Sequence, residues 1–259
     1  MLLLHTNQNE ENCNRIMAVS TAKISAVVNS SIGKKVMMAL TGLFLAFFLA
    51  NHLYTNLLLY KPLFDPADGG KAFNEASHAL VTSLLIRVVE VVLFGSIIFH
   101  VVQAIRLTRE NKKARPVSYA SGTKAKTSWV SKNMGLTGSV ILFFLIVHLY
   151  NFFLPYRIEG SVGGIEPVGN KITLAQSVAE ALQNPWYAGL YLISVLLIGM
   201  HLAHGIRSGF QSIGLNNTKY DGMLEKIAVG YSALVTIGFG SFPIMFYFNI
   251  MGVADHLIK

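Results

Sequence analysis

LTGLFLAFFLANHLY, residues 40–54, returns in register as LTGSVILFFLIVHLY, residues 136–150. Both stretches read L-T-G, then F-F-L, then H-L-Y at the same offsets. Apolar helices share composition by chance, but rarely a polar residue and its neighbours in register. A weaker match follows each stretch: HVVQAIR, residues 100–106, against HLAHGIR, residues 201–207. A helix pair is therefore predicted to occur twice, each helix carrying one aligned histidine: His52, His100, His148 and His201.

The segments that hold these histidines are long and nearly free of charge. No Asp, Glu, Lys or Arg lies between Lys35 and Lys61, Lys132 and Arg157, Glu180 and Arg207, or Lys226 and Asp255. A spanning helix needs roughly 20 apolar residues at about 1.5 Å rise each, and all four gaps are long enough. A fifth candidate, from about Ala79 to Ile105, is interrupted by Arg87 and Glu90. The expected fold is an all-α membrane protein of five transmembrane helices, at about 34–60, 79–107, 132–156, 184–211 and 224–251. The first four would form a bundle, with the fifth added outside the repeat. Residues 1–30 would be an N-terminal segment on the cytoplasmic side, and 31–254 a single domain.

Only 13% of the 259 residues are charged, about half the ~25% usual for soluble domains. The net charge of +8 could suggest nucleic acid, but its placement argues against that. Eight basic residues (Arg106, Arg109, Lys112, Lys113, Arg115, Lys124, Lys126 and Lys132) crowd one loop against Glu110 alone, while the loops at 61–78 and 157–180 are nearly balanced. Cytoplasmic loops carry the Lys/Arg excess, so 106–132 and the N-terminus are expected inside and the C-terminus outside. Cys13 is the only cysteine, which excludes an intrachain disulfide, a cysteine-ligated cluster and a C-x-x-C-H haem attachment. The apolar run at the start is too short for a signal peptide, and Met17 is an alternative start.

Depth sorts the four histidines. His52 and His148 lie 17 and 16 residues beyond Lys35 and Lys132, roughly 25 Å above the inner boundary. His100 and His201 each lie six residues short of Arg106 and Arg207, roughly 9 Å above the same boundary. Two histidines thus fall at an outer level and two at an inner one. Polar side chains inside a bilayer are functional candidates by default, and two imidazoles from different helices suit the axial positions of a haem in a bundle core. Two haem b groups are the expectation. Ala104 and Gly205, one turn after the inner histidines, would leave room for a porphyrin. The plain alternative is that each histidine only hydrogen-bonds across helices, and a metal site is a further competitor with few carboxylates to complete it. His204, three residues from His201, remains the alternative inner ligand. His5 and His256 are expected to be terminal and solvated.

With H-L-Y in the first and third spans, H-x-x-x-G-I followed by Ser208, and five helices, the chain resembles one family over roughly residues 30–250. That family is the single-chain di-haem cytochrome b membrane anchor of succinate:quinone oxidoreductases, the succinate dehydrogenase or fumarate reductase cytochrome b558 type. The resemblance implies haem ligation by His52 with His148 and by His100 with His201. It also implies a bacterial cytoplasmic membrane location, flavoprotein and iron–sulfur subunits docked on the cytoplasmic face, and electron exchange with a quinone, usually menaquinone. The succinate or fumarate site would then lie in the partner subunits, with the basic inner loop as a docking surface.

Arg87 and Glu90 fall level with the outer haem on this reading. Spaced i, i+3, they could simply neutralise one another, or Arg87 could pair with a haem propionate while Glu90 exchanges protons for an outer quinone site. Glu75 and His78, at the mouth of the same span, would extend that proton path, or His78 would be a plain surface residue. Lys34 and Lys35 read as inner-surface anchors. Competing functions are a di-haem anchor of another respiratory oxidoreductase and a small proton-coupled transporter. Transporters favour helices broken near the midplane, and here the strongest break is Pro243, outside the repeat.

Overall fold

Ser30 starts the first long helix, its hydroxyl accepting a hydrogen bond from the Gly33 amide at 3.0 Å, the usual role of serine before a helix. The computed structural model describes residues 20, 26, 30–114, 133–159, 172–215, 217 and 219–258, excepting the side chains of 158 and 159. Most of the N-terminal segment, with His5 and Cys13, and the part of the basic loop from Arg115 to Lys132 lie outside the described residues. Seven helices order the described chain: α1 Ser31–Leu57, α2 Lys71–Thr82, α3 Leu84–Ala114, α4 Met134–His148, α5 Leu174–Gln183, α6 Pro185–Ser212 and α7 Asp221–Tyr247. There is no strand among the described residues.

Five of these helices, α1, α3, α4, α6 and α7, are long and apolar enough to cross a membrane. They cover the five expected segments with shifted ends. α1 tightens into a 3₁₀ stretch, Leu58–Leu63, and α4 widens into a π-helical stretch, Leu149–Glu159, that contains Pro155. Proline offers no backbone N–H and crowds the preceding turn, so an opened turn is a natural accommodation. Pro243 does not end α7, which continues to Tyr247.

The second span departs most from expectation. The predicted helix at 79–107 is two helices: Ser83 is extended (ψ 126°), α2 ends before it, and α3 runs on to Ala114. Glu75 and His78 therefore sit on a separate short helix and not at the mouth of the span. α2 is amphipathic and buries Phe73, Asn74 and Ser77. α5 starts with a reciprocal cap in which Thr173 accepts from the Gln176 amide and Gln176 accepts from the Thr173 amide. α2, α5 and the chain end close over one end of the molecule, burying Leu59, Phe73, Ala175, Ala179, Val253, Ala254 and Leu257. Asn74 ties this cap together, its buried Oδ1 accepting from the Ala175 amide at 3.0 Å. The expectation of a solvated His256 is corrected here: it is half-buried, because the residues around it are the cap's own core.

Packing contacts link α1 to α3, α3 to α4, α4 to α6 and α6 back to α1, a closed ring of four. α7 lies outside the ring against α6 and α1. A methyl group at Gly238 would come within 2.7 Å of Leu53, so this glycine lets α7 press close against α1, as small residues do between membrane helices. The Tyr231 hydroxyl donates to the Ala46 carbonyl across the same contact. At the end away from the cap, Lys34 Nζ meets Glu110 Oε1 at 2.6 Å and joins the start of α1 to the end of α3.

Candidate functional site: two histidine pairs across the helix ring

The four repeat histidines come from α1, α3, α4 and α6, and they meet in two pairs along the ring's two diagonals. His52 of α1 and His148 of α4 have ring centroids 5.8 Å apart, and His100 of α3 and His201 of α6 have centroids 6.5 Å apart. Along α1, Thr41, which touches His100, precedes His52 by eleven residues, and along α4, Thr137, which touches His201, precedes His148 by eleven. At about 1.5 Å per residue the two pairs stand about 16 Å apart along the ring axis. The His52–His148 pair lies toward the capped end.

Those threonines belong to the repeated L-T-G, a signal the sequence displayed without revealing its use. Thr41 Oγ1 lies 3.3 Å from His100 Nδ1, and Thr137 Oγ1 lies 3.3 Å from His201 Nδ1. Each hydroxyl already donates within its own helix, Thr41 to the Met37 carbonyl at 2.9 Å and Thr137 to the Met134 carbonyl at 3.1 Å. With its hydrogen committed, the oxygen can only accept, so Nδ1 of each histidine carries the proton and Nε2 keeps its lone pair. The glycine of L-T-G lies against the same ring, leaving room for a Cβ in ordinary contact but not for a larger side chain. A Cβ on Gly42 would stand 3.4 Å from His100 Cε1, and one on Gly138 would stand 3.7 Å from His201 Cε1.

The pair near the cap is held by different groups. His148 Nδ1 lies 3.3 Å from the Tyr191 hydroxyl, and His52 Nδ1 lies 3.4 Å from Asn56 Nδ2, which donates at 2.7 Å to the His52 carbonyl. Phe48 stacks on His52 at 5.5 Å, Phe239 packs on its other side, and Phe144 and Phe152 flank His148. Tyr191 was not anticipated, and nothing in its local sequence distinguishes it from other aromatic residues of an apolar helix.

At His100 and His201 the threonine hydroxyls take the proton of Nδ1, the arrangement by which an outer partner orients an imidazole for ligation through Nε2, and the Tyr191 hydroxyl can do the same for His148, whereas at His52 it is the Asn56 amide that donates to Nδ1. His204 makes no hydrogen bond or ring contact with the described residues, and no threonine touches it as Thr137 touches His201. Each pair offers two imidazoles and little else: among the described residues, no three His, Cys, Asp or Glu side chains gather as a metal cluster. A bare zinc ion wants four ligands, which neither pair supplies. Haem iron brings four equatorial nitrogens and needs two axial ones, and a metal held by opposed imidazoles at about 2 Å each sets ring centroids about 6 Å apart. The donor set therefore fits haem.

Gln103 and Thr137, both polar, are the buried residues of α3 and α4, and a Cβ on Gly205, one turn after His201, would meet no atom within 4 Å.

The charged residues regroup. Glu90 does not pair with Arg87, three residues away. Its Oε2 lies 3.4 Å from Nε of Arg157, on the π-helical stretch after α4. Arg87 is exposed and has no ion-pair partner among the described residues. Glu75 is exposed beside Lys71 at 3.9 Å, and His78 is exposed on α2. Neither reaches Glu90 by a recorded contact. Comparison with protein-family models, curated proteins and solved structures returns no match.

Proposed function

We propose that the chain is a di-haem cytochrome b membrane anchor of a succinate:quinone oxidoreductase, carrying electrons between an iron–sulfur subunit and a quinone. One observation carries the reading: two histidine pairs on the ring's diagonals, the inner pair fixed by Thr41 and Thr137 in the tautomer that leaves Nε2 free. The family resemblance of the H-L-Y and H-x-x-x-G segments supplies the partners. Each haem, when bound, serves as a one-electron carrier within the bilayer.

The chain's own residues do the rest. On this reading His52 with His148 would hold one haem and His100 with His201 the other, and the spacing of about 16 Å puts the pairs at successive depths. Thr41, Thr137 and Tyr191 hold the Nδ1 side, which fixes ring orientation and raises ligand basicity. Apolar side chains of five helices keep water from the rings. Glu90, facing Arg157, takes up and releases protons for quinone near the capped end. The opposite end, where Lys34 and Glu110 join α1 to α3, is the cytoplasmic face on which iron–sulfur and flavoprotein subunits dock. The membrane is the bacterial cytoplasmic one, with menaquinone as the quinone class.

The test is co-purification of the tagged chain from gently solubilised membranes. The expected result is a flavoprotein and an iron–sulfur protein in equal amounts, with succinate reducing b-type haem in the complex. Haem with a different soluble partner would move the chain to another respiratory oxidoreductase.

A further inference from the structure

Three hydrogen-bond donors on the turn after His148 are buried with no partner among the described residues: Asn151 Nδ2, Tyr156 OH and Arg157 Nε. They share the π-helical stretch Leu149–Glu159, a rare geometry that is frequent at functional sites. The stretch faces α3 in two rungs: Phe153 meets Phe94 edge-on at 5.2 Å, and Arg157 meets Glu90. The second rung is loose. Arg157 Nη2 reaches Glu90 at 3.5 Å and Nε lies 3.4 Å away without hydrogen-bond alignment.

Burying a donor without an acceptor is costly, and native structures rarely leave several together without a use. All three orphans are donors, so their missing partner is rich in acceptors. Charge narrows the choice. Arg157 is a cation whose Nε finds no aligned acceptor even beside Glu90, so the zone favours an anion over a neutral ligand. Arginine's fork suits a carboxylate in particular. The stretch belongs to the same neighbourhood as the histidines, since its Phe152 packs on His148 with ring centroids 5.5 Å apart.

We propose that Arg157, Tyr156 and Asn151 form the carboxylate site for the propionates of the haem at His52 and His148, with Arg157 and not Arg87 as the principal cation. This rests on the di-haem reading. The π-helical stretch carries Tyr156 and Arg157 directly after Pro155 and brings Arg157 to Glu90 of α3.

The experiment is potentiometric titration of both haems in the detergent-extracted protein, wild type against R157L, Y156F and R87L. R157L should lower the potential of the outer haem, because an unneutralised carboxylate favours the ferric state, and leave the inner haem in place. The expected shift is at least about tenfold in the ferrous/ferric ratio, about 59 mV for one electron. Y156F should move it the same way by less, and R87L should not move it. An outer haem unchanged in R157L overturns the proposal, and an unchanged potential with a raised KM for quinone would assign the donors to quinone instead. If R157L loses both haems, R157K and Y156F decide: an outer potential unchanged in both overturns it. Wild-type protein without haem would fail the di-haem reading itself, whereas two haems indifferent to Arg157 would fail only this assignment.

Discussion

Replacing Thr137 by valine removes one oxygen and almost nothing else. Valine keeps the branched shape, and Thr137 is fully buried at 1% exposure, so solvent cannot stand in for the hydroxyl. The lost contact, Oγ1 to His201 Nδ1 at 3.3 Å, is longer than the ~2.9–3.0 Å mode of N–H···O bonds. A bond of that length belongs near the weak end, about 1 kcal/mol, and stranding the buried N–H raises the cost toward about 2 kcal/mol. That range is roughly 5- to 30-fold in an equilibrium, overlapping the ~10- to 100-fold effect of removing an outer partner from a metal-bound histidine. The assay is haem content per polypeptide together with redox-resolved visible spectra of T137V and T41V. Both variants should weaken or shift the same haem, the inner one, and the double variant should be non-additive because both bonds serve one metal. If the two single variants match wild type, or disturb the outer haem, the role given to the L-T-G threonines is wrong.

Three further outcomes follow from the same geometry. H201A should abolish the inner haem signal and spare the outer one, while H204A should leave both spectra intact; the reverse pattern would reassign the ligand. G42V should cost the inner haem because even a Cβ there lies 3.4 Å from His100, whereas G138A, with 3.7 Å available, should retain it. E90Q should keep both haems and succinate-to-haem transfer while quinone turnover falls at least about tenfold, about 1.4 kcal/mol of barrier; unchanged turnover would leave Glu90 as only the structural partner of Arg157.

The sequence made the membrane helices legible because a bilayer imposes a long, local signal: charge-free stretches of spanning length. The repeat also carried more information than composition, since Thr41 and Thr137 recur eleven residues before His52 and His148 for a structural reason. What it could not display was long-range. Glu90 and Arg157 are 67 residues apart in sequence, and spacing alone offered only the neighbour Arg87. The break at Ser83 was hidden because the apolar residues of α2 serve the cap, and their composition resembles the start of a span. The burial of Val253, Ala254 and Leu257 was hidden for a related reason: a short apolar tail looks the same whether it packs or frays.

A pyridine haemochrome assay on the folded, detergent-extracted chain measures directly whether four histidines hold two haems. B-type haem should come out close to two per polypeptide, falling to about one in H201A. Folded protein with none would contradict the two-haem assignment.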